Sequence, residues 1–481
     1  MNEKFSVLSE GRRDRDSTAS LSSSSSHEEH DVIQDLPRDS SLHRVQTEKS
    51  GIARASGDLR RTASNALAHV ASRITTRTWP EPPPPPDGGV KAWTQVLMGA
   101  FAIATAWGYA NSFGAFQSYY EEILPEPAST ISWIGSIQVW LTLTVGAFSG
   151  RLLDAGFFLP TLIVGGVLQL LGIFLMSLST KYWQLFLTQG VLSGIGAGIY
   201  FTPCISLVNT YFDKNRGLAV GLATAGNSGG GIIYPLLVRQ LLSKIGFAWT
   251  TRVIGFLNLG LLAIVLAFMR PRLPPRKSGP LLDISAFKDP AYSGAVFGTF
   301  FALWSNYFVF YYIASFGIQT LGMSYKTAST LTIIVNGAGL PFRILTPIFA
   351  DRYGFFNANY ILLFAWAIVG FTWLAVHTIG GCYAWTIVYG ILSASFQCLT
   401  TSTIAKITPR LDMIGTRLGM AFTISALSAL TGPPIGGAIL GRSGGIYRNT
   451  QIWQGLSLVV GLALMVFVRV RMGGWRLKVN V

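Results

Sequence analysis

Residues 211–229 read YFDKNRGLAVGLATAGNSG, a charged turn followed by an apolar run. Four small residues recur at every fourth position of that run, on one face of a helix: Gly217, Gly221, Ala225 and Gly229. The preceding apolar run repeats the spacing at Gly190, Gly194 and Gly198. Lipid chains give no hydrophobic drive for helix association, so membrane helices pack through small residues that let backbones approach. The pattern predicts two membrane helices with glycine packing faces.

The composition of the whole chain agrees with a membrane protein. Only 12% of the 481 residues are charged and 50% are hydrophobic, whereas a soluble domain carries about 25% charged residues. Residues 1–90 hold 12 of the 37 basic and 13 of the 22 acidic residues, so the remainder is strongly basic. A basic soluble chain suggests nucleic acid, but basic cytoplasmic loops explain the charge here. We therefore expect the lipid bilayer as a partner, and no nucleic acid.

Twelve apolar runs are long enough to cross a bilayer core of about 30 Å. They cover about residues 93–117, 130–150, 158–178, 184–207, 217–238, 250–269, 291–315, 327–349, 359–378, 383–405, 415–440 and 452–470. The basic break at residues 270–290 divides them into six and six. The sequence predicts an all-α polytopic membrane protein whose two six-helix halves, residues 91–269 and 291–471, are joined by a cytoplasmic central loop.

Both ends of the chain are polar. Residues 1–90 are rich in Ser and charged residues and include the polyproline linker at 82–86, so we expect a disordered tail. A kinase that recognises Arg60 and Arg61, or an SH3 or WW domain bound to the prolines, is an alternative to a plain spacer. Loops on the tail side hold eleven cations and the other loops six. This bias predicts that both termini, including residues 472–481, are cytoplasmic.

A short charged pattern follows both the second and the eighth predicted span. Residues 150–154 read GRLLD, and residues 349–354 read FADRYG. Together with twelve spans and a basic central loop, this repetition resembles the major facilitator superfamily. The resemblance implies a gating latch of Asp154, Asp351 and Arg352, in which an Asp at a helix N-terminus is held against a cation while the inner gate is closed. An ordinary capped turn is the alternative.

Two longer motifs resemble the monocarboxylate-transporter family. The segment DGGVKAW at residues 87–93 is similar to the opening motif of that family, and residues 211–229 are similar to its entry to span 5, departing mainly at Asn215. The resemblance covers residues 87–471 and is to the fungal branch, which includes vitamin carriers and exporters found beside biosynthetic genes. It favours the plasma membrane.

Arg343 is the cation that the sequence places deepest in a span, about 12 Å from Asp351 along the helix. A charge at that depth normally faces a cavity or a partner. All nine acidic residues after residue 90 fall in loops or at span ends, with Glu121 in the loop after span 1. We therefore interpret Arg343 as the ligand of an anionic substrate. Packing against carbonyls or a neighbouring amide is the alternative.

The family resemblance supports that interpretation and also limits it. Arg343 matches the family's substrate arginine. The Asp and the span-1 Lys that the animal lactate carriers use correspond here to Gly339 and Phe113, so proton-coupled lactate transport is not favoured. Four other polar residues are candidates to line the same cavity, or else to bridge helices: Asn336, Asn227, Asn111 and Tyr307.

We interpret the chain as a secondary transporter that moves a small organic, anionic, carboxylate-type solute by alternating access. The spans contain no cluster of His, Asp and Glu, so we predict no enzyme, no cofactor and no metal site. Three alternatives stay open: an efflux carrier for a larger secondary metabolite, a facilitator for a flat vitamin-like solute such as riboflavin, and a solute sensor that does not transport.

Overall fold

A computed structural model describes residues 84–274, 282–408 and 413–474. All regular structure in these residues is helical. The predictions for the tail up to residue 83, for residues 275–281 of the central loop and for residues 475–481 lie outside the described part of the chain.

Ten helices of the described residues are long and apolar enough to cross a membrane. They are Ala128–Asp154, Phe158–Met176, Tyr182–Thr210, Gly217–Phe268, Pro290–Leu321, Tyr325–Ala350, Phe355–Ala375, Ile379–Ile404, Gly415–Arg442 and Arg448–Gly473. A short 3-10 helix at Ile284–Lys288 precedes the helix Pro290–Leu321, and another at Trp373–Ala375 ends the segment Phe355–Ala375.

Two irregular segments account for the difference between these ten helices and the twelve predicted spans, and the prediction is confirmed. The run Arg216–Phe268 has 53 residues and contains Gly246 with φ 73° and ψ 173°, which breaks the helix. Since one crossing needs about 20 residues, this run is two spans. The first span, residues 89–123, is interrupted by π-helical turns at Ala104–Gly108 and by a turn at Ser112 before Phe113–Ile123. We number the spans 1 to 12 in chain order and call spans 1–6 the first half and spans 7–12 the second half.

Span 8 is interrupted just before Arg343. Its helix Tyr325–Gly339 ends before Pro341, and the helix Phe342–Tyr353 follows. Proline removes a backbone donor and disfavours continuous helix on its N-terminal side. Arg343 is therefore the second residue of the second segment.

The start and the end of the first half lie at the same end of the helix bundle. The Asp87 N–H donates to the Tyr211 carbonyl at 3.1 Å, and Arg272 Nη1 donates to the Pro84 carbonyl at 3.0 Å. The start of span 1, the loop after span 4 and the end of span 6 therefore meet there. We call this the terminal end, and the other the opposite end.

The glycine face predicted for span 4 packs as expected. A Cβ at Gly190 would lie 2.5 Å from Ile137 Cγ2, and one at Gly194 would lie 2.8 Å from the Gln138 carbonyl oxygen. Both neighbours belong to span 2. The backbones of spans 2 and 4 therefore approach too closely for a side chain between them.

The face predicted for span 5 is only partly a packing face. A Cβ at Gly221 would lie 3.6 Å from the Arg343 carbonyl oxygen of span 8, but one at Gly217 or Gly229 would meet no atom within 4 Å. The close approach is made by Gly226 and Gly230, whose added Cβ atoms would clash with the carbonyl oxygens of Ala100 and Ala104 in span 1. Glycine is abundant on two faces of this helix, and spacing alone does not say which face meets a neighbour.

Candidate site between the halves

The predicted binding residues converge on residues 227–231 of span 5, the sequence NSGGG, which we call the span-5 hub. From span 1, Asn111 Nδ2 donates to Asn227 Oδ1 at 2.7 Å. From span 8, Arg343 Nε donates to Ser228 Oγ at 3.0 Å. A Cβ at Gly231 would lie 2.5 Å from the amide of Asn336, also in span 8. Spans 1 and 8, from different halves, thus meet on successive turns of span 5.

Arg343 is buried, with 6% of its surface exposed. Its Nη2 donates to Gln397 Oε1 of span 10 at 3.4 Å, and its charge also acts on the Cys398 thiol and on Tyr307. Among the described side chains, Arg343 has no carboxylate within ion-pair distance. The guanidinium therefore bridges the two halves through neutral acceptors, Ser228 and Gln397. Its role as a substrate ligand stays a prediction.

Of the other candidates, Tyr307 lies between the halves, whereas the three asparagines make hydrogen bonds within or between helices. Tyr307 is buried among side chains of spans 1, 2 and 11, including Ala110, Val139 and Ala426. It therefore lies between the halves, beside the residue preceding Asn111. The Asn111–Asn227 hydrogen bond joins two spans of the first half, and Asn336 Nδ2 donates to the Thr332 carbonyl of its own helix at 2.9 Å. The Asn111–Asn227 pair therefore holds two helices together, whereas the Asn336 amide bonds within its own helix.

The gating residues lie at helix C-termini. Asp154 is the last residue of the helix Ala128–Asp154, and Asp351 lies near the end of Phe342–Tyr353. The prediction that each Asp lies at the N-terminus of a helix is therefore wrong. The helix before each motif continues through the motif, so only a short loop separates it from the next helix. The side chains of Asp351 and Arg352 are outside the described part of the structure, so the latch itself stays a prediction.

Sequence reasoning missed two polar residues near the interface of the halves. Gln397 was not identified, although a single amide in an apolar span usually faces the protein interior. Glu121, expected in a loop, lies in the last turn of span 1 and accepts a hydrogen bond from Ser315 Oγ of span 7 at 2.8 Å. Glu121 follows Gln117 by four residues, a spacing that places both side chains on one face of a helix and that could have indicated a helical position.

Two positions correspond to the charged residues of the lactate carriers, and at both of them neighbouring atoms pack closely. A Cβ at Gly339 would clash with Ala394 Cβ and lie 2.9 Å from the Gly390 carbonyl oxygen of span 10. Phe113 is fully buried, with its ring centroid 4.7 Å from that of Tyr311. Neither position has room for the charged side chain.

Two cavities of the described residues border span 5. One, of about 240 Å³, lies between spans 1, 5 and 6 and is lined by apolar residues of these spans, two of them the hub glycines Gly229 and Gly230. The other, of about 40 Å³, lies between spans 5 and 8 and includes Gly221 and Ile344. The Arg343 side chain lines neither cavity.

Comparisons with known proteins agree with this architecture. Residues 96–409 match the Major Facilitator Superfamily. An "MFS-type transporter" of Gibberella zeae is 42% identical over 385 residues, which cover 80% of this chain and 87% of that protein. The "Aspyridones efflux protein apdF" of Emericella nidulans is 33% identical, with 79% of this chain and 78% of that protein covered. The "Agnestins efflux protein AgnL12" of Paecilomyces divaricatus is 31% identical, with coverage of 78% and 87%.

A solved structure shows the same fold. A bacterial homologue of the human lysosomal transporter Spinster, in an inward-facing and occupied conformation, superposes with a TM-score of 0.60. The match has 14% sequence identity and covers 79% of this chain and 98% of that one.

Proposed function

The chain belongs to the Major Facilitator Superfamily, and from that premise we propose that this secondary transporter exports an organic metabolite that carries an acidic group. Arg343 is the observation on which the proposal rests: a buried guanidinium between the two halves with only neutral described partners. The direction is supported by two relatives whose names state efflux. The terminal end then faces the cytoplasm, and we place the carrier in the plasma membrane.

The neutral partners of Arg343 make it available to an anion. Hydrogen bonds from a guanidinium to a carboxylate are about twice as strong as those between neutral groups. A solute carboxylate therefore displaces the Ser228 hydroxyl and the Gln397 amide. Because these partners belong to different halves, the exchange of partners changes the contacts between the halves. Solute binding thereby shifts the balance between the two access states.

The surroundings favour a solute larger and flatter than lactate. Span 7 buries the aromatic side chains of Tyr307, Phe308 and Tyr311, and Tyr307 lies between spans of both halves. Aromatic rings stack in offset or edge-on geometry with other rings. The two motif resemblances make the chain monocarboxylate-transporter-like, but Gly339 and Phe113 lack the lactate carriers' charges. We therefore propose a secondary metabolite as the solute and keep Asp154, Asp351 and Arg352 as the terminal-end latch.

Transport in proteoliposomes tests the proposal. The panel contains short monocarboxylates, dicarboxylates, riboflavin and aromatic acids, each acid paired with its neutral methyl ester, with and without a proton gradient. We expect flux of an aromatic acid to exceed that of its ester, and Arg343→Gln to abolish this preference. Arg469→Gln is the matched control, because Arg469 is also buried but donates to Asn357 Oδ1 at 2.9 Å, away from the hub.

Other outcomes decide among the alternatives. Equal flux of acid and ester in the parent protein contradicts the role of Arg343. Flux of riboflavin that only equilibrates, with or without the gradient, supports the facilitator. Specific binding of a panel compound without net flux supports the sensor.

A further inference from the structure

A carboxylate joins the two halves at the opposite end of the bundle. Glu121 Oε2, in span 1, accepts hydrogen bonds from Ser315 Oγ at 2.8 Å and from Gln319 Nε2 at 3.4 Å, both in span 7. Glu121 Oε1 accepts from Gln117 Nε2 at 2.6 Å. Since an ionised carboxylate only accepts hydrogen bonds, three donors around it match its charged form.

Neighbouring hydrogen bonds close the same region. The Tyr312 hydroxyl of span 7 donates to the Ala128 carbonyl of span 2 at 2.9 Å. The Tyr325 hydroxyl of span 8 donates to the Ala115 carbonyl of span 1 at 3.0 Å. We call these bonds, with those of Glu121, the opposite-end gate. Tyrosine ionises only near pH 10, so Glu121 is the carboxylate of the gate and its one acidic member among the described residues.

A proton on Glu121 removes the negative charge that the gate uses. On Oε2 the proton can be donated only to the Ser315 hydroxyl, which then accepts instead of donating, while the bond from Gln319 Nε2 loses its charge assistance and weakens. On Oε1 the proton faces Gln117, whose Oε1 is buried without a hydrogen-bond partner among the described atoms. If the Gln117 amide turns so that its Oε1 accepts the proton, its Nε2 no longer reaches the Ala128 carbonyl, now 3.1 Å away. Either change weakens the contacts around the gate.

We propose that Glu121 is the proton-binding group of this carrier and that a proton taken from the solution at the opposite end opens the gate between the halves. The inference rests on the alternating access of the proposed function. It gives the carrier a site for proton control in the last turn of span 1 that does not depend on the solute.

Groups on the elements packed against Glu121 do not neutralise it. Tyr312 and Tyr325 face it from spans 7 and 8, and Tyr447, which precedes span 12, donates to Gln319 Oε1 at 3.1 Å. The exposed cations Lys244, between spans 5 and 6, and Lys326, in span 8, form no ion pair with it within the described residues.

Three other ionisable groups lie at this end. Glu122 is exposed and adjacent in sequence. Glu126 lies in the loop between spans 1 and 2. His377 is the histidine of the described residues and is exposed in the loop after span 9. Because histidine titrates between about pH 5 and pH 8, the test must remove it.

The test measures a distance across the opposite end in the full-length protein in lipid nanodiscs, without any solute. Spin labels are attached at Lys181→Cys and Lys326→Cys, two exposed sites in different halves, in a background with His377→Gln and Cys398→Ser. Pulsed electron paramagnetic resonance then compares about pH 7.5 with about pH 4, above and below the pH of about 4.3 at which an ordinary glutamate carboxyl is half ionised.

In this parent we expect the distance between the labels to lengthen at the lower pH. In Glu121→Gln the distance should be long at both pH values. In Glu122→Gln it should lengthen at the lower pH as in the parent. A parent distance that does not change with pH overturns the proposal. So does a shift that persists in Glu121→Gln or disappears in Glu122→Gln. If Glu121→Gln does not fold, Ser315→Ala serves instead: it must lengthen the distance at the higher pH, and a parental distance contradicts the proposal. Because no solute is present, failure here leaves the export proposal standing.

Discussion

The carboxylate of Asp87 accepts a hydrogen bond from the backbone N–H of Lys214, 127 residues later, at 2.8 Å. The same oxygen accepts from the N–H of Asp213, and Asn215 Nδ2 donates to the Asp87 carbonyl at 3.4 Å. Asp87 takes a positive φ of 52° to make these contacts. The two motifs at residues 87–93 and 211–229 are therefore one structural unit, which fixes the entry to span 1 against the entry to span 5.

Asp87→Ala should destabilise the terminal end by about 1 kcal/mol, a usual loss for a side chain that caps backbone N–H groups. The thermal midpoint of the purified protein measures the effect. Asp213→Asn is the control, because Asp213 contributes its backbone N–H to this contact. An equal loss in both variants would show that the net charge of the loop, and not the Asp87 contact, stabilises it.

Gly226→Ala should destabilise the first half by about 2 kcal/mol, the usual range for overpacking a tight contact. Its Cβ would clash with the Ala100 carbonyl oxygen of span 1. Gly229→Ala should be neutral, or stabilising by up to about 1 kcal/mol through helix propensity, because its Cβ meets no atom within 4 Å. Thermal unfolding in detergent compares the two, and the reverse order would contradict the contact between spans 1 and 5.

Gln397→Glu should lower the apparent affinity for an acidic solute about tenfold or more, because a carboxylate beside the Arg343 guanidinium competes with the solute for a charge-assisted bond. The side chain already lies 3.4 Å from Arg343 Nη2. Concentration dependence of transport measures the affinity, and the thermal midpoint should rise in the same variant. Gln397→Leu removes the amide without adding charge, and an equal loss of affinity in that variant would refute competition as the cause.

Low pH should weaken the attachment of the central loop to span 11. The hydrogen bond from Ser285 and the ion pair with Arg417 Nε at 2.9 Å lower the pKa of Asp283 below its ordinary value. A lowered pKa in the folded state means that the ionised carboxylate stabilises the fold above the unfolded-state pKa, near pH 4, and that this contribution is lost as the pH falls through the folded-state pKa.

The thermal midpoint of the parent should therefore fall steeply below about pH 4. Asp283→Asn should be less stable than the parent near neutral pH and should converge with it in acid. Glu122→Gln, at the exposed opposite end, should follow the parent curve. Parallel curves for parent and Asp283→Asn would exclude this carboxylate as the cause.

The number of spans and the identity of the central arginine could be read from the sequence, because apolar length and a charge in an apolar run are local properties. Arg343 is buried between the halves, as its position in span 8 predicted. The packing face of span 5 could not be read in the same way. Gly226 and Gly229 are both glycines in one helix, but only Gly226 meets a neighbouring backbone.

The sequence by itself determined that this chain has twelve apolar runs of membrane-spanning length and two long motifs at residues 87–93 and 211–229. Only the tertiary structure showed that these motifs bind each other through Asp87, that Ser228 and Gln397 are the partners of Arg343, and that Glu121 joins span 1 to span 7. The physical reason is that hydrophobic length acts along the chain, whereas these hydrogen bonds depend on which faces of distant helices meet.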